Sequence, residues 1–116
     1  MASYKELIVW QKSFLLTKMV FKVTANFPKS EIYGLSSQMR RCSVSIPSNI
    51  AEGNARGHKK EYLQFLRTSF ASGAELETQL LLSKELGFIN ESDYNEINNL
   101  LVEVLKMLNK LISVIK

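Results

Sequence analysis

Apolar residues recur every three or four positions along most of this chain, and this spacing constrains the fold more than any other feature. It places the apolar side chains on one face of an α-helix, whereas a half-buried strand alternates every second residue. The pattern predicts four helices, over about 6–25, 35–54 and 59–86, and from a cap at Asn90 or Ser92 onward. Because the connections are short, we expect an antiparallel up-down-up-down four-helix bundle, a single all-α domain over residues 1–116.

Proline and glycine mark the ends of the predicted helices. Pro28 disfavours helical geometry in the residue before it, which separates the first helix from the second. Gly53 or Gly57 ends the second helix and Gly87 ends the third, because glycine adopts positive φ at low cost. Gly73 lies within the third helix, where glycine costs roughly 0.5–1 kcal/mol relative to alanine. We therefore expect a neighbouring helix to approach closely at Gly73.

The first predicted helix has a wider apolar arc than a peripheral helix of a monomeric bundle needs. Two sets of residues lie side by side on it, and Leu16 and Val20 widen the arc further: Leu7, Trp10, Phe14, Thr17, Phe21 and Thr24; and Ile8, Leu15, Met19 and Val23. The excess indicates either deep burial or contact with another subunit.

Composition excludes several classes of protein. A hydrophobic fraction of 46% with two prolines and five glycines argues against disorder and against a many-turned β-sandwich. With one cysteine, Cys42, and one histidine, His58, we expect no intramolecular disulfide and no thiolate or His-paired metal site. The sequence also lacks a glycine-rich phosphate loop and a nucleophile–base pair. It therefore predicts a non-enzymatic protein without catalytic residues, metal or cofactor.

Two features of the sequence lead to an expectation for localisation. The N-terminus lacks a basic region followed by an apolar run and a cleavage site, so no secretory signal is expected. The apolar runs are far shorter than the roughly 18 residues of a membrane span. The chain is expected in the reducing cytoplasm, without a membrane partner.

Charge is distributed unevenly. Residues 1–60 contain ten basic and three acidic side chains, a net charge of +7, and residues 61–116 contain five and eight, a net charge of −3. A basic half favours a polyanion, or equally the acidic half of a neighbouring subunit. Four basic residues are candidate phosphate contacts near the second-to-third connection, although a cluster of this kind is also typical of a solvated surface: Arg40, Arg56, Lys59 and Lys60. Base-specific readout is not expected, because no nucleic-acid-recognition signature is present.

The second helix combines a polar stripe with a proline. The stripe follows three- and four-residue steps through Gln38, Arg41, Ser45, Ser48 or Asn49, and Glu52. We interpret it as a hydrogen-bonded structural seam in which Arg41 pairs with Glu75 or Glu77 of the third helix. The alternatives are a solvated face and an anion or RNA contact. Pro47 cannot donate to the carbonyl of Ser43, so we expect a kink, with that carbonyl satisfied by Ser43 or by water.

Four segments resemble a known family. They read LIVWQK at 7–12, YGLSSQMRR at 33–41, SIPSNIAEG at 45–53 and ELETQL at 75–80. In these segments the chain resembles the four-helix-bundle family of bacterial ribosomal-RNA intervening-sequence proteins, whose genes lie in insertions within large-subunit ribosomal RNA genes. The resemblance covers nearly the whole chain. One departure, His58 to Glu61, replaces the more usual Ser or Thr cap and affects the start of the third helix.

The resemblance implies an assembly more than an activity. Members form up-down bundles that assemble into ring-like pentamers. A related branch, the accessory variability determinants of diversity-generating retroelements, binds nucleic acid and a reverse transcriptase through a basic surface. The leading hypothesis is therefore a homo-oligomer, a pentamer by resemblance, that binds RNA or a ribonucleoprotein through a basic surface. The alternative is a structural or adaptor ring that binds another protein and no nucleic acid.

Overall fold

The computed structural model describes residues 3–116, and these residues form an all-helical bundle without strands. Short 3₁₀ turns at Tyr4–Glu6 and Lys29–Glu31 precede the first and second of four α-helices: α1 Ile8–Thr24, α2 Leu35–Arg56, α3 Lys59–Glu85 and α4 Glu91–Ile115. The predicted all-α four-helix bundle is confirmed.

Local capping chemistry sets the helix ends. The side chain of Asn90 accepts a hydrogen bond from the amide of Asp93 at 2.7 Å, so Asn90, rather than Ser92, caps α4. Gly87 follows α3 with φ 78°, and Gly57 follows α2 with φ 75°, as left-handed positions that glycine occupies without strain. α2 continues past the buried Gly53 to Arg56. Of the two predicted endings, Gly53 and Gly57, the structure therefore has Gly57.

The helices contact one another around a square. α1 packs against α2 and α4, and α3 also packs against α2 and α4, with the most extensive interface between α2 and α3. Every helix contributes fully buried side chains to the core, among them Leu16, Met39, Ile46, Leu66, Leu80, Leu101 and Leu108. At Gly73 a Cβ atom would lie 2.5 Å from Leu105 Cδ2 of α4, so the close approach expected at this glycine is confirmed.

α2 continues as one helix through Pro47, which is buried. The carbonyl of Ser43 accepts a hydrogen bond from Thr17 Oγ1 of α1 at 2.8 Å. The Ser43 hydroxyl donates instead to the carbonyl of Arg40 at 2.9 Å. The partner of the Ser43 carbonyl is thus a side chain of the neighbouring helix rather than Ser43 itself. The kink at Pro47 and the up-down-up-down order stay predictions.

α1 exposes part of its apolar arc. Ile8, Phe14, Leu15 and Phe21 are exposed by 59%, 46%, 46% and 41%, although Leu16 and Val20 of the same helix are fully buried. The exposed residues lie on two flanks of α1, separated by polar Gln11, Lys18 and Lys22. Deep burial therefore does not account for the wide apolar arc within residues 3–116, and contact with another subunit stays a prediction.

Candidate nucleic-acid interface

Arg40 is half-buried between α1 and α2. Its Nε donates to Thr24 Oγ1 at 2.9 Å, and its Nη2 donates to the carbonyl of Phe21 at 3.3 Å. The guanidinium also lies 4.9 Å from the centre of the Phe21 ring. A cation at the last carbonyl groups of a helix is favourable because it faces the negative end of the helix dipole. Arg40 thus fastens α2 to the end of α1.

Arg56 lies in the last turn of α2 beside two carboxylates. Its guanidinium is 3.0 Å from Glu52 and 3.7 Å from Glu61, and it lies 5.1 Å from the centre of the Phe65 ring. These ion pairs are exposed, so each contributes little to stability. They nevertheless compensate the charge of Arg56 locally.

Lys59 and Lys60 form the first residues of α3 and are exposed. Neither takes part in an ion pair within residues 3–116. Arg56 lies just before them, whereas Arg40 is sixteen residues earlier on α2, about 24 Å away along a helix axis. The fold therefore brings three of the four candidate cations to one end of the bundle and leaves Arg40 far from them.

The predicted polar seam crosses between helices at one of its positions. The hydroxyls of Ser45 and Ser72 hydrogen-bond at 2.8 Å, which links α2 to α3, and Asn49 donates to the carbonyl of Ser45 at 2.7 Å within α2. Glu52 forms an ion pair with Arg56. Gln38 and Arg41 are exposed. In the described part of the chain neither makes a side-chain hydrogen bond, and Arg41 forms no ion pair with Glu75 or Glu77.

Sequence reasoning missed two hydroxyls that join the helices. Ser69 is fully buried and donates to the carbonyl of Ile46 at 2.9 Å, the residue before Pro47. Thr17 makes the corresponding contact from α1 to Ser43. The sequence does contain a sign of these contacts, because a Ser or Thr on the apolar face of a helix is buried away from water and needs another hydrogen-bond partner.

Cys42 is buried in the interface between α2 and α3. Burial raises the pKa of its thiol to about 11, and the nearby carboxylate of Glu75 acts in the same direction against smaller opposing effects of Gln79 and Arg41. The thiol is therefore neutral at physiological pH and a poor nucleophile. Within residues 3–116 no group of three His, Cys, Asp or Glu side chains is placed to hold a metal ion.

Comparison with known families gives a match over residues 5–110, nine-tenths of the chain, to the 23S rRNA-intervening sequence protein family. The chain belongs to this family. A crystal structure of a protein of unknown function from the S23 ribosomal protein family of Bacteroides thetaiotaomicron is similar, with a TM-score of 0.82 and 25% sequence identity over 90% of this chain and 98% of that one. Comparison with curated proteins gives no match.

The shared fold supports the helical architecture of this intervening-sequence family member. Its resemblance at residues 33–41 and 45–53, read from the sequence, falls on α2 apart from the first two residues, and α2 is the helix with the most extensive packing in the bundle. Among the described residues no helix is long and apolar enough to cross a membrane.

Proposed function

We propose that this protein is a non-enzymatic homo-oligomer that binds structured RNA through a basic surface at the end of the bundle where α2 meets α3. The observation that carries the proposal is the pair Lys59 and Lys60, exposed in the first turn of α3 without an ion-pair partner in residues 3–116. Two cations at a helix N-terminus face the positive end of the helix dipole, which disfavours them there. A bound polyanion would offset this repulsion.

The four candidate cations have unequal parts in this proposal. Lys59 and Lys60 are free to contact phosphates, and Arg56 joins them once it exchanges Glu52 or Glu61 for a phosphate. Arg40 retains its hydrogen bonds to α1 and contributes at long range. Contacts of this kind attract the RNA backbone without reading its bases. The family description connects the members with an intervening sequence of 23S rRNA, which makes RNA the first polyanion to test.

Oligomerisation supports the same function by multiplying charge. The exposed apolar flanks of α1 offer a surface for a second copy of the chain. A pentamer, as the family resemblance implies, would carry a net charge of roughly +20 and would present several copies of each lysine pair to one RNA.

The test is the binding of a fluorescently labelled RNA hairpin with an unpaired loop, measured by anisotropy at several salt concentrations. Lys59→Glu/Lys60→Glu is expected to weaken binding at least tenfold and to flatten the salt dependence, because two phosphate contacts are lost. The matched control is Lys22→Glu/Lys29→Glu, which changes the net charge equally at the other end of the bundle. Equal losses in both variants, or no binding by the wild type at low salt, would overturn the proposal.

A second candidate function rests on the exposed aromatic and aliphatic side chains of α1. In an adaptor ring these side chains would bind another protein, and the basic end would have no ligand. Treating a lysate with nuclease before a pull-down separates the two functions. Partners that disappear after treatment support RNA binding, whereas partners that persist support the adaptor.

A further inference from the structure

A second group of cations lies along the surface where α3 meets α4. Arg67 of α3 and Lys116 after α4 line one shallow cavity of about 260 Å³, together with Phe70, Asn109 and Ile112. Neither cation forms an ion pair within residues 3–116. Two positively charged side chains therefore face one depression with no Asp or Glu side chain in its lining.

Two of its lining residues, Phe70 and Asn109, also line a second cavity of about 190 Å³. The second cavity adds Lys106 as a third cation, with Val102 and Leu105 as its apolar lining. Glu77 is the acid in its lining and marks the end of the basic surface. We name the two adjacent cavities together the α3–α4 groove.

The groove combines the side chains that a single-stranded nucleic acid requires. Phe70 is half-buried against the core, so its ring is held in place, and it lines both cavities. The side chain of Asn109 is exposed and makes no hydrogen bond within the described residues, which leaves its amide available to a base edge or a ribose. Aromatic rings that accept stacked bases, bordered by cations that follow the phosphates, are the common elements of single-strand binding grooves.

The groove also adjoins the lysine pair. Lys60 and Arg67 are seven residues apart on α3, so they lie on the same face about 10 Å apart along the helix. The positive surface at the start of α3 therefore extends into the groove toward Lys116. An RNA strand bound at Lys59 and Lys60 could therefore extend into the groove, where further basic side chains would neutralise its phosphates.

We infer that the α3–α4 groove binds an unpaired segment of RNA, with Arg67, Lys106 and Lys116 on its phosphates and Phe70 stacked on a base. This inference rests on the proposed RNA binding and assigns the single-stranded part of the RNA to a site other than the lysine pair. Duplex RNA is excluded from this contact, because its bases are stacked on one another and their faces are not available to Phe70.

The experiment uses the full chain with fluorescently labelled oligoadenylate and, separately, a blunt RNA duplex. Arg67→Glu/Lys116→Glu is expected to weaken oligoadenylate binding at least tenfold and to lower the magnitude of the salt slope by about 1.4, from two lost contacts to a single strand. Phe70→Leu keeps an apolar side chain against the core and is expected to weaken binding roughly fivefold without changing the salt slope, because stacking is not ionic. Thermal unfolding checks that each variant is folded, and Lys22→Glu/Lys29→Glu is again the charge-matched control.

The outcomes separate the groove from the proposed function. If the wild type binds neither RNA at low salt, both the RNA function and the groove are overturned. If the wild type binds but both groove variants match the control, the groove alone is overturned. The groove alone is also overturned if Arg67→Glu/Lys116→Glu weakens duplex and oligoadenylate equally and Phe70→Leu has no effect, since that result describes general charge attraction.

Discussion

The hydroxyl of Thr17 on α1 lies 2.8 Å from the carbonyl of Ser43 on α2, which Pro47 leaves without its usual backbone donor. The carbonyl of Ser13 in α1 lies 3.0 Å from the same hydroxyl, so one proton is shared between two acceptors, with the shorter contact to Ser43. A proline in a helix normally costs about 3 kcal/mol or more, partly because this hydrogen bond is lost. Here the neighbouring helix supplies the donor. The stability of α2 around Pro47 therefore depends on the packing of α1 against it.

Replacing Thr17 with valine is expected to destabilise the protein by about 1–3 kcal/mol, because the shape is kept while the Ser43 carbonyl loses this partner. Urea denaturation measures the change. Thr68→Val is the control, since the Thr68 hydroxyl is exposed and bonds the carbonyl of Gln64 within its own helix. In a Pro47→Ala background the loss should shrink, because alanine restores the backbone donor. A full loss in that background would contradict the coupling between Thr17 and Pro47.

The two buried glycines are expected to respond differently to alanine. At Gly53 a Cβ would lie 2.7 Å from Phe65 Cβ, an atom fixed to the backbone of α3. Gly53→Ala should therefore force α2 and α3 apart and destabilise the protein by about 1–3 kcal/mol, despite the better helix propensity of alanine. At Gly73 the neighbouring atom is the end of the Leu105 side chain, which can rotate away, so Gly73→Ala should cost less. Urea denaturation of both variants decides the order, and an equal or reversed order would contradict it.

The Cys42 thiol is expected to react slowly in the folded protein. Because its pKa is raised to about 11 from 9.0, the thiolate fraction at pH 8 falls by roughly a hundredfold, and burial hinders access further. Alkylation with iodoacetamide, followed by mass spectrometry, measures the rate. The same chain unfolded in urea is the control, and equal rates in the two states would show that the thiol is neither buried nor shifted.

The same shift predicts a pH dependence of stability. The folded state keeps the Cys42 proton up to about pH 11, while the unfolded thiol loses it near pH 9.0, so stability should decline as the pH rises from 9 to 11. The other titrating groups contribute in wild type and variant alike. Subtracting the curve of Cys42→Ala should therefore isolate this decline, and parallel curves would contradict it.

The exposed apolar flanks of α1 predict the oligomeric state. Phe14→Ser/Leu15→Ser is expected to convert the oligomer to monomers without loss of helicity, because both side chains lie outside the core. Light scattering after gel filtration gives the mass. Leu82→Ser is the matched control, since Leu82 is similarly exposed, at 48%, on α3. A monomeric wild type, or an unchanged mass in the α1 variant, would contradict the expectation.

The four helices and most of their ends could be predicted because they depend on local sequence. The three- and four-residue spacing of apolar residues identifies the helices, and Asn90, Gly57 and Gly87 provide capping chemistry that acts within a few residues. Gly73 also indicated its close contact in advance, since a helix has no local use for glycine.

The candidate site was less accessible to sequence reasoning because charge alone does not show what a cation touches. Arg40, Arg56, Lys59 and Lys60 are alike as basic residues near one connection. Only the packing of α1 beside α2 places Thr24 and the Phe21 carbonyl around Arg40, and only the turn into α3 places Glu61 beside Arg56. The cations of the α3–α4 groove were missed because Arg67 and Lys116 are far apart in the chain.

The spacing of apolar residues and the capping residues predicted a helical bundle and placed its helix ends within two residues, because both are local properties. Which polar groups are satisfied by a neighbouring helix followed only from the packing of the helices. The physical reason is that a hydroxyl or a guanidinium bonds whatever the neighbouring helix brings within about 3 Å, and that depends on how the helices are aligned. In the sequence Thr17 is one of several residues on an apolar face, and the alignment of α1 with α2 makes it the partner of Ser43.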